Sequence, residues 1–128
     1  MENRELKNSV KQPRGLTHAW HATGLALQGL CAAWQHEEAF RQEVLIAVIA
    51  IPVALLLPVS ILGKVLMVAS IFLVLIVELL NSALEAAVDH TSLEQHPLAK
   101  RAKDIGSAAV LLSIVNAMVV WGLVIVFL

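Results

Sequence analysis

The chain has 128 residues, of which 59% are hydrophobic and 15% charged, with a formal net charge of −1 at neutral pH. Soluble domains are usually nearer about 45–50% apolar, so this composition indicates an integral membrane protein with a single domain. The near-zero net charge excludes a bulk electrostatic attraction to nucleic acid. The single cysteine, Cys31, excludes an internal disulfide framework.

The N-terminal third contains a polar segment followed by a helix-forming pattern. Residues 1–15 are polar and charged and predict a flexible tail. From residue 16 to about 37, Trp20, Leu27 and Trp34 recur every seven residues on one side of a helix. Tryptophans are enriched at membrane–water interfaces, so we interpret this segment as an amphipathic surface helix. The alternative is a helix that packs on other protein.

Three membrane spans follow, at about residues 38–57, 61–89 and 105–128. The first apolar run, residues 44–57, is too short for a hydrocarbon core of ~30 Å, so its helix should begin near Glu38. Pro58 should end this helix and Ser60 should cap the next one. A polar connection over residues 90–103 should precede the third span, in which Trp121 should lie toward the opposite interface.

The basic residues predict how the chain is oriented. Of the nine lysines and arginines, eight fall before or at the start of the first span or between the second and third spans. Only Lys64 lies at the other end. Positive charge favours the cytoplasmic side, so the N-terminus and the loop between the second and third spans should be cytoplasmic.

A polar stripe runs along the second span as it leaves the membrane. At ~100° per residue, its members fall in one arc of roughly 100°. An ionisable group at membrane depth marks function by default, although Glu78 could also be a structural contact between helices. Glu85 and Asp89 alone could be the solvated face of an emerging helix. The stripe consists of Glu78, Asn81, Ser82, Glu85 and Asp89.

The charged residues predicted on this side suit phosphate chemistry. Carboxylate oxygens are the ligands that Mg²⁺ prefers, and lysine and arginine neutralise phosphate charge. Cysteine and histidine pairs at zinc spacing are missing from the sequence, as is a P-loop, so we predict a Mg²⁺–polyphosphate site of another kind. Glu78 lies where a lipid hydroxyl would sit and could act as a general base. The predicted carboxylates are Glu37, Glu38, Glu43, Glu78, Glu85, Asp89, Glu94 and Asp104, and the cations are Arg41, Lys100, Arg101 and Lys103.

Three segments resemble the small integral-membrane diacylglycerol kinases of bacteria. They are residues 37–43, 77–89 and 101–110, and the most specific element is the E-x-x-N-S-x-x-E core at positions 78–85. The resemblance extends over residues 16–128. It implies a homotrimer of three-span chains in the bacterial cytoplasmic (inner) membrane, with sites shared between subunits. It also implies transfer of the γ-phosphoryl group of MgATP to the primary hydroxyl of diacylglycerol, which gives phosphatidic acid.

The resemblance assigns roles to individual positions. Glu78 corresponds to the proposed catalytic base, and Glu37 and Glu85 correspond to the metal ligands. The positions implied for ATP binding are Glu37, Glu85, Glu94, His96, Lys103 and Asp104. The candidates for substrate binding or active-site support are Gln42, Glu43, Asn81, Asp89, Ser107, Trp34 and Trp121. In relatives, a basic residue near the position of His18 contacts phosphate. This chain has a histidine there, so the resemblance does not establish that contact.

Two other functions stay open at this point. Residues 96–100 resemble the branch of the family that phosphorylates undecaprenol, whereas residues 40–43 favour the diacylglycerol branch. A different class of protein would be a small oligomeric ion or proton transporter in which Glu78 and Asn81 line the path. Such a path needs polar groups through the whole span, but residues 65–77 offer only Ser70. The one-sided stripe therefore favours an enzyme that works at the membrane surface.

Overall fold

A computed structural model describes residues 15–91 and 96–128, and within these ranges the chain consists of four α-helices without strands. The last three helices are long and apolar enough to cross a membrane. The all-helical fold with three candidate spans is therefore confirmed. The predicted tail lies almost wholly outside the described residues, as does Glu94. The helices are α1 (Leu16–His36), α2 (Glu38–Leu56), α3 (Ile61–Thr91) and α4 (Pro97–Val126).

A single residue, Glu37, separates α1 from α2. Its backbone is extended, with φ −114° and ψ 105°. On the following turn, Arg41 reaches back and its Nη1 donates hydrogen bonds to the carbonyls of Trp34 (2.9 Å) and Gln35 (3.2 Å). A cation at a helix C-terminus satisfies carbonyls that lack a partner in the helix and interacts well with the helix dipole. The remainder of α1 is exposed except for Ala33.

The turn between α2 and α3 is closed by side chains. Helix α2 continues past Pro52 and ends at Leu56, before Pro58. The Ser60 hydroxyl accepts a hydrogen bond from the Gly63 backbone N–H at 3.0 Å, which confirms the predicted cap. Lys64 Nζ donates to the carbonyl of Leu55 at 2.8 Å, so the end of α2 is satisfied as well.

Helices α3 and α4 run antiparallel along most of their length. Near the start of α3, Gly63 approaches Val124. Further along, the Trp121 indole N–H donates to the Met67 carbonyl and the Ser70 hydroxyl, both at 3.2 Å. Asn81 then lies against Gly106, and Lys103 pairs with Asp89 at 2.9 Å. These contacts align the polar stripe of α3 with the N-terminal turns of α4.

The connection before α4 is shorter than the predicted 90–103. Helix α3 continues to Thr91, and α4 begins at Pro97. Proline is well suited to the first turn of a helix because its N–H would be unpaired there anyway. The ring of His96 accepts a hydrogen bond from the Leu98 N–H at 3.1 Å and so caps the helix. The apolar pattern starts later than the helix, which explains the difference.

Trp121 lies toward the end of the α3–α4 pair that is farther from Glu78, and its depth in a membrane stays a prediction. Its indole N–H is bonded to Met67 and Ser70 and points into the contact between α3 and α4. Tryptophan needs a partner for its N–H wherever it is buried. Here α3 supplies the partner, so water or a lipid headgroup is not required.

Candidate active site

Glu78 is the most enclosed charged residue of the chain's described part. It lies on α3, one turn after the buried Val74, and only 5% of its surface is exposed. A charge held away from water needs a compensating partner. The sequence predicted an ionisable group at membrane depth, and the structure places this carboxylate inside the helix contacts.

Three further carboxylates lie close enough to Glu78 to act on it electrostatically. Glu37 and Glu85 both repel a charge on Glu78, and Glu78 in turn repels Glu43. These residues come from the α1–α2 junction, from α2 and from α3 itself. Like charges that converge in this way favour a bound cation or a shared proton. The structure therefore brings together four of the residues that the sequence singled out.

Several polar atoms beside these carboxylates are buried and have no hydrogen-bond partner among residues 15–91 and 96–128. They are Glu43 Oε2, Asn81 Oδ1 and Ser82 Oγ. The amide nitrogen of Asn81 donates to Glu85 Oε1 at 3.3 Å, which orients that carboxylate. Buried polar atoms in folded proteins are nearly always satisfied, so unpaired ones need an explanation. A ligand that binds next to Glu78 would supply the missing partners.

Gly106 allows α4 to approach this cluster. A Cβ atom at this position would collide with Asn81 Oδ1. Only glycine therefore lets Asn81 keep its place against α4. Sequence reasoning gave Gly106 no role, although a glycine inside an otherwise well-formed helix is a signal for close packing.

Lys103 is a cation whose charge interacts with that of Glu85 in this cluster. Its Nζ lies 2.9 Å from Asp89 Oδ1 and joins α4 to α3 across the connection between them. Both side chains are partly exposed, and ion pairs of this kind contribute little to stability. Phosphate oxygens could therefore replace Asp89 as the partner of Lys103 without a large loss.

Other predicted site residues are not brought to Glu78 within this chain. The His96 ring caps α4, and Asp104 pairs with Lys100 at 2.7 Å. Gln42 and Ser107 are exposed. These four residues keep their predicted roles as untested proposals.

The two candidate tryptophans lie in different surroundings. Trp34 lines an apolar groove between α1 and α2 together with Leu30 and Phe40. Trp121 contacts Ser70, which precedes Glu78 by eight residues, or about 12 Å along the helix axis. Trp121 is therefore remote from the carboxylates, and its place as active-site support stays a prediction.

The donor atoms fit magnesium better than zinc. Within the described ranges, groups of three or more histidine, cysteine, aspartate or glutamate side chains placed to hold a metal are not found. Mg²⁺ commonly binds through one or two carboxylates, and the substrate phosphates and water complete its shell. Glu37 and Glu85, whose charges both act on Glu78, remain the predicted pair of oxygen ligands.

Comparisons with known proteins identify the family to which this chain belongs. The family described as prokaryotic diacylglycerol kinase matches residues 24–125. The diacylglycerol kinase of Pseudomonas aeruginosa is 53% identical over 111 residues, which cover 87% of this chain and 90% of the relative. That of Escherichia coli K12 is 48% identical over 107 residues (84% and 88%), and that of Haemophilus influenzae is 43% identical over 113 residues (88% and 96%). The chain belongs to the prokaryotic diacylglycerol kinase family.

Proposed function

We propose that this protein is a lipid kinase that transfers the γ-phosphoryl group of MgATP to the primary hydroxyl of diacylglycerol and so forms phosphatidic acid. The observation that carries the proposal is the buried Glu78, which is surrounded by carboxylates and unpaired polar atoms at the end of a membrane span. Membership of the family and the names of the relatives support the same substrate.

Glu78 is the proposed general base. The lipid hydroxyl donates its proton toward the Glu78 carboxylate while its oxygen attacks the γ-phosphorus. The bond between the γ-phosphorus and the bridging oxygen of ATP breaks, and ADP leaves. Because Glu78 is enclosed, water competes poorly with the lipid hydroxyl, which limits hydrolysis of ATP.

The surrounding residues orient the reactants. Glu37 and Glu85 would hold Mg²⁺, which supplies charge neutralisation for the ATP phosphates. Asn81 keeps Glu85 in position through its hydrogen bond, while its Oδ1 packs against Gly106 of α4. Lys103 leaves Asp89 and pairs with the phosphates, where it stabilises the charge that is transferred.

The site should face the cytoplasm, where ATP is available. Eight of the nine basic residues lie at this end or in the segment before it, which is the side that the positive-inside rule assigns to the cytoplasm. The protein would then be a multi-pass protein of the bacterial inner membrane. A homotrimer with shared sites would let His96, Asp104, Gln42 and Ser107 reach a carboxylate cluster on a neighbouring chain.

An ion path is disfavoured by where the unpaired atoms lie. They cluster around Glu78, whereas Ser70, deeper in α3, is already bonded to Met67 and Trp121. A continuous path would require free polar groups along the span.

The test offers the purified protein, in lipid-containing micelles, MgATP labelled on the γ-phosphate together with diacylglycerol or undecaprenol. We expect label in phosphatidic acid. Label chiefly in undecaprenyl phosphate would move the chain to the sister branch with the same chemistry. Folded protein that labels neither lipid would refute the kinase proposal.

A further inference from the structure

Ser82 belongs to the polar stripe of α3, and the proposed reaction leaves it without a role. Its hydroxyl oxygen is buried and has no hydrogen-bond partner among the residues that the structure describes. Serine and threonine hydroxyls in helices commonly bond to a carbonyl of the preceding turn. The free hydroxyl of Ser82 is therefore a local exception that needs an explanation. The hydroxyls that do bond to such a carbonyl, at 2.6–3.0 Å, are those of Thr23, Ser70, Thr91 and Ser113.

The position of Ser82 along α3 places it between the two parts of the proposed reaction. Glu78, the proposed base, lies four residues earlier, or about 6 Å along the axis. Glu85, a proposed Mg²⁺ ligand, lies three residues later, or about 4.5 Å. The lipid hydroxyl would sit beside Glu78 and the ATP phosphates beside Glu85. The γ-phosphoryl group must pass from one to the other at the height of Ser82.

Around the helix axis, Ser82 lies on the side of Glu78 that is opposite to Asn81. At ~100° per residue, Asn81 is displaced from Glu78 by about 60° in one direction and Ser82 by about 40° in the other. Asn81 packs against Gly106 of α4, the helix that also carries Lys103. Ser82 therefore lies away from α4 and toward α2, which packs against α3 as well. A phosphoryl group between the two sides would have Lys103 on one flank and the Ser82 hydroxyl on the other.

A hydroxyl suits the transferred group because it adds a hydrogen-bond donor where carboxylates dominate. Glu37, Glu43 and Glu85 each interact electrostatically with Glu78. Ionised carboxylates only accept hydrogen bonds, and they repel phosphoryl oxygens. During phosphoryl transfer, negative charge is spread over the three equatorial oxygens of the γ-phosphoryl group, and fixed donors stabilise that charge. A buried hydroxyl that is not bonded to its own helix is such a donor.

We propose that Ser82 is a further catalytic residue, whose hydroxyl donates a hydrogen bond to an equatorial oxygen of the γ-phosphoryl group during transfer. The lipid oxygen forms its bond to the γ-phosphorus, the bond to the bridging oxygen breaks with its electron pair leaving on ADP, and the lipid proton passes to Glu78. Ser82 keeps its own proton throughout. This inference rests on the proposed function, since it requires that the γ-phosphoryl group of ATP is transferred next to Glu78.

The first experiment measures the steady-state kinetics of Ser82→Ala in lipid-containing micelles, with label transfer from ATP to diacylglycerol as the readout. A donor that acts on the transferred group contributes more to turnover than to binding. We therefore expect kcat to fall by roughly 10- to 100-fold, while KM for ATP and for diacylglycerol changes by less than about threefold. Ser82→Thr keeps the hydroxyl and should recover most of kcat. Ser113→Ala is the matched control and should keep the wild-type kcat, because it removes a buried serine hydroxyl that is bonded within its own helix.

The second experiment separates contact with the γ-phosphoryl group from a general disturbance of the site. ADP lacks this group, so its inhibition constant in the same assay should be the same for Ser82→Ala and for the wild type. The Mg²⁺ concentration for half-maximal activity should also be unchanged, because the proposal gives Ser82 no contact with the metal. Circular dichroism checks that each variant has the helicity of the wild type.

The outcomes distinguish this inference from the proposed function. An active wild type whose Ser82→Ala variant keeps a normal kcat, or whose Ser82→Thr variant is as slow as Ser82→Ala, would overturn the inference and leave the proposed function standing. A change in the inhibition constant for ADP or in the Mg²⁺ titration would also overturn it, since that result indicates a structural or metal-binding role. Wild-type protein that labels no lipid would refute the proposed function and this inference together.

Discussion

The two ends of the α2–α3–α4 bundle differ in whether their polar side chains are hydrogen-bonded. At the turn end, which comprises residues 57–70 and the contact with Trp121, the polar side chains close hydrogen bonds with nearby backbone or with each other. At the carboxylate end, around Glu78, buried polar atoms stay unpaired, and Glu78 experiences repulsion with each of three other carboxylates. The turn end is closed by hydrogen bonds, and the carboxylate end is where we propose that ligands bind.

This difference separates structural from functional polarity. Satisfied buried groups fix helices in place, whereas unsatisfied ones carry a standing free-energy cost that a ligand can remove. The cost is tolerated only where binding requires it. Substitutions at the two ends should therefore have different readouts: activity at the carboxylate end and stability at the turn end.

The largest effect should come from Glu78→Gln. The amide fills the same space but is a poor proton acceptor, so phosphoryl transfer should fall by roughly 10²- to 10⁴-fold, the usual contribution of a general base. The measurement is label transfer from ATP to diacylglycerol, with helicity checked by circular dichroism. Glu38→Gln is the matched control, because Glu38 is an exposed carboxylate on α2. A Glu78→Gln enzyme of normal activity would refute the assignment of the base.

Gly106→Ala should have the next largest effect. The added Cβ collides with Asn81 Oδ1 and must displace Asn81 or the helix. A displacement of about 1 Å can reduce turnover by ~10²-fold, and overpacking should lower the free energy of unfolding by roughly 1–3 kcal/mol. Kinetics and a denaturation curve measure the two effects.

Gly122→Ala is the control for that substitution. It lies on the same helix, and a Cβ there meets no atom within 4 Å in the chain. Its activity should be unchanged, and stability should rise by about 0.5–1 kcal/mol because alanine favours the helix. If both variants behaved alike, close packing at Gly106 would not explain the result.

Glu85→Gln should produce a smaller change. Loss of one carboxylate ligand should raise the Mg²⁺ concentration for half-maximal activity on the order of tenfold, while saturating Mg²⁺ restores much of the rate. The measurement is a Mg²⁺ titration at fixed ATP. Glu85→Asp keeps the charge, so its Mg²⁺ concentration for half-maximal activity should lie between those of the wild type and Glu85→Gln. An unchanged titration for Glu85→Gln would argue against a ligand role.

The smallest effect should come from Trp121→Phe, at the turn end. The substitution removes the indole N–H that joins α4 to Met67 and Ser70. Stability should fall by about 1 kcal/mol, with turnover at saturating substrate close to normal. Thermal unfolding in detergent and the lipid kinase assay measure both. A large loss of turnover without a loss of stability would instead place Trp121 in active-site support.

Much of the fold follows from the sequence because its signals are local and strong. Each of these signals depends only on nearby residues, and the structure agrees with them. They are the three apolar runs, the proline at position 58 and the cap at Ser60. The start of α4 was less predictable. Its first turns are charged, so hydropathy placed the span later, and only Pro97 and the His96 cap reveal the true start.

The candidate site is harder to predict because it depends on contacts between helices. The polar residues of α3 recur at helical spacing in the sequence, so Glu78, Asn81 and Ser82 could be placed on one side of the helix. The approach of Glu43 to Glu78 and of Gly106 to Asn81 depends on the register between helices. No local pattern encodes that register. The same reason explains why the contact of Trp121 with Ser70 could not be predicted.

The single-residue junction between α1 and α2 has a mechanical consequence. Glu37 forms the whole of this junction, and Arg41 binds the last carbonyls of α1, so α1 is fastened at its end and does not hang from a loose linker. The Glu37 carboxylate therefore cannot change its height above the hydrocarbon unless α1 rises or sinks with it. With α1 among the headgroups, as the sequence predicts, the depth of this helix would set the distance between Glu37 and Glu78. The lateral packing of the surrounding lipid would then become part of the geometry of the site.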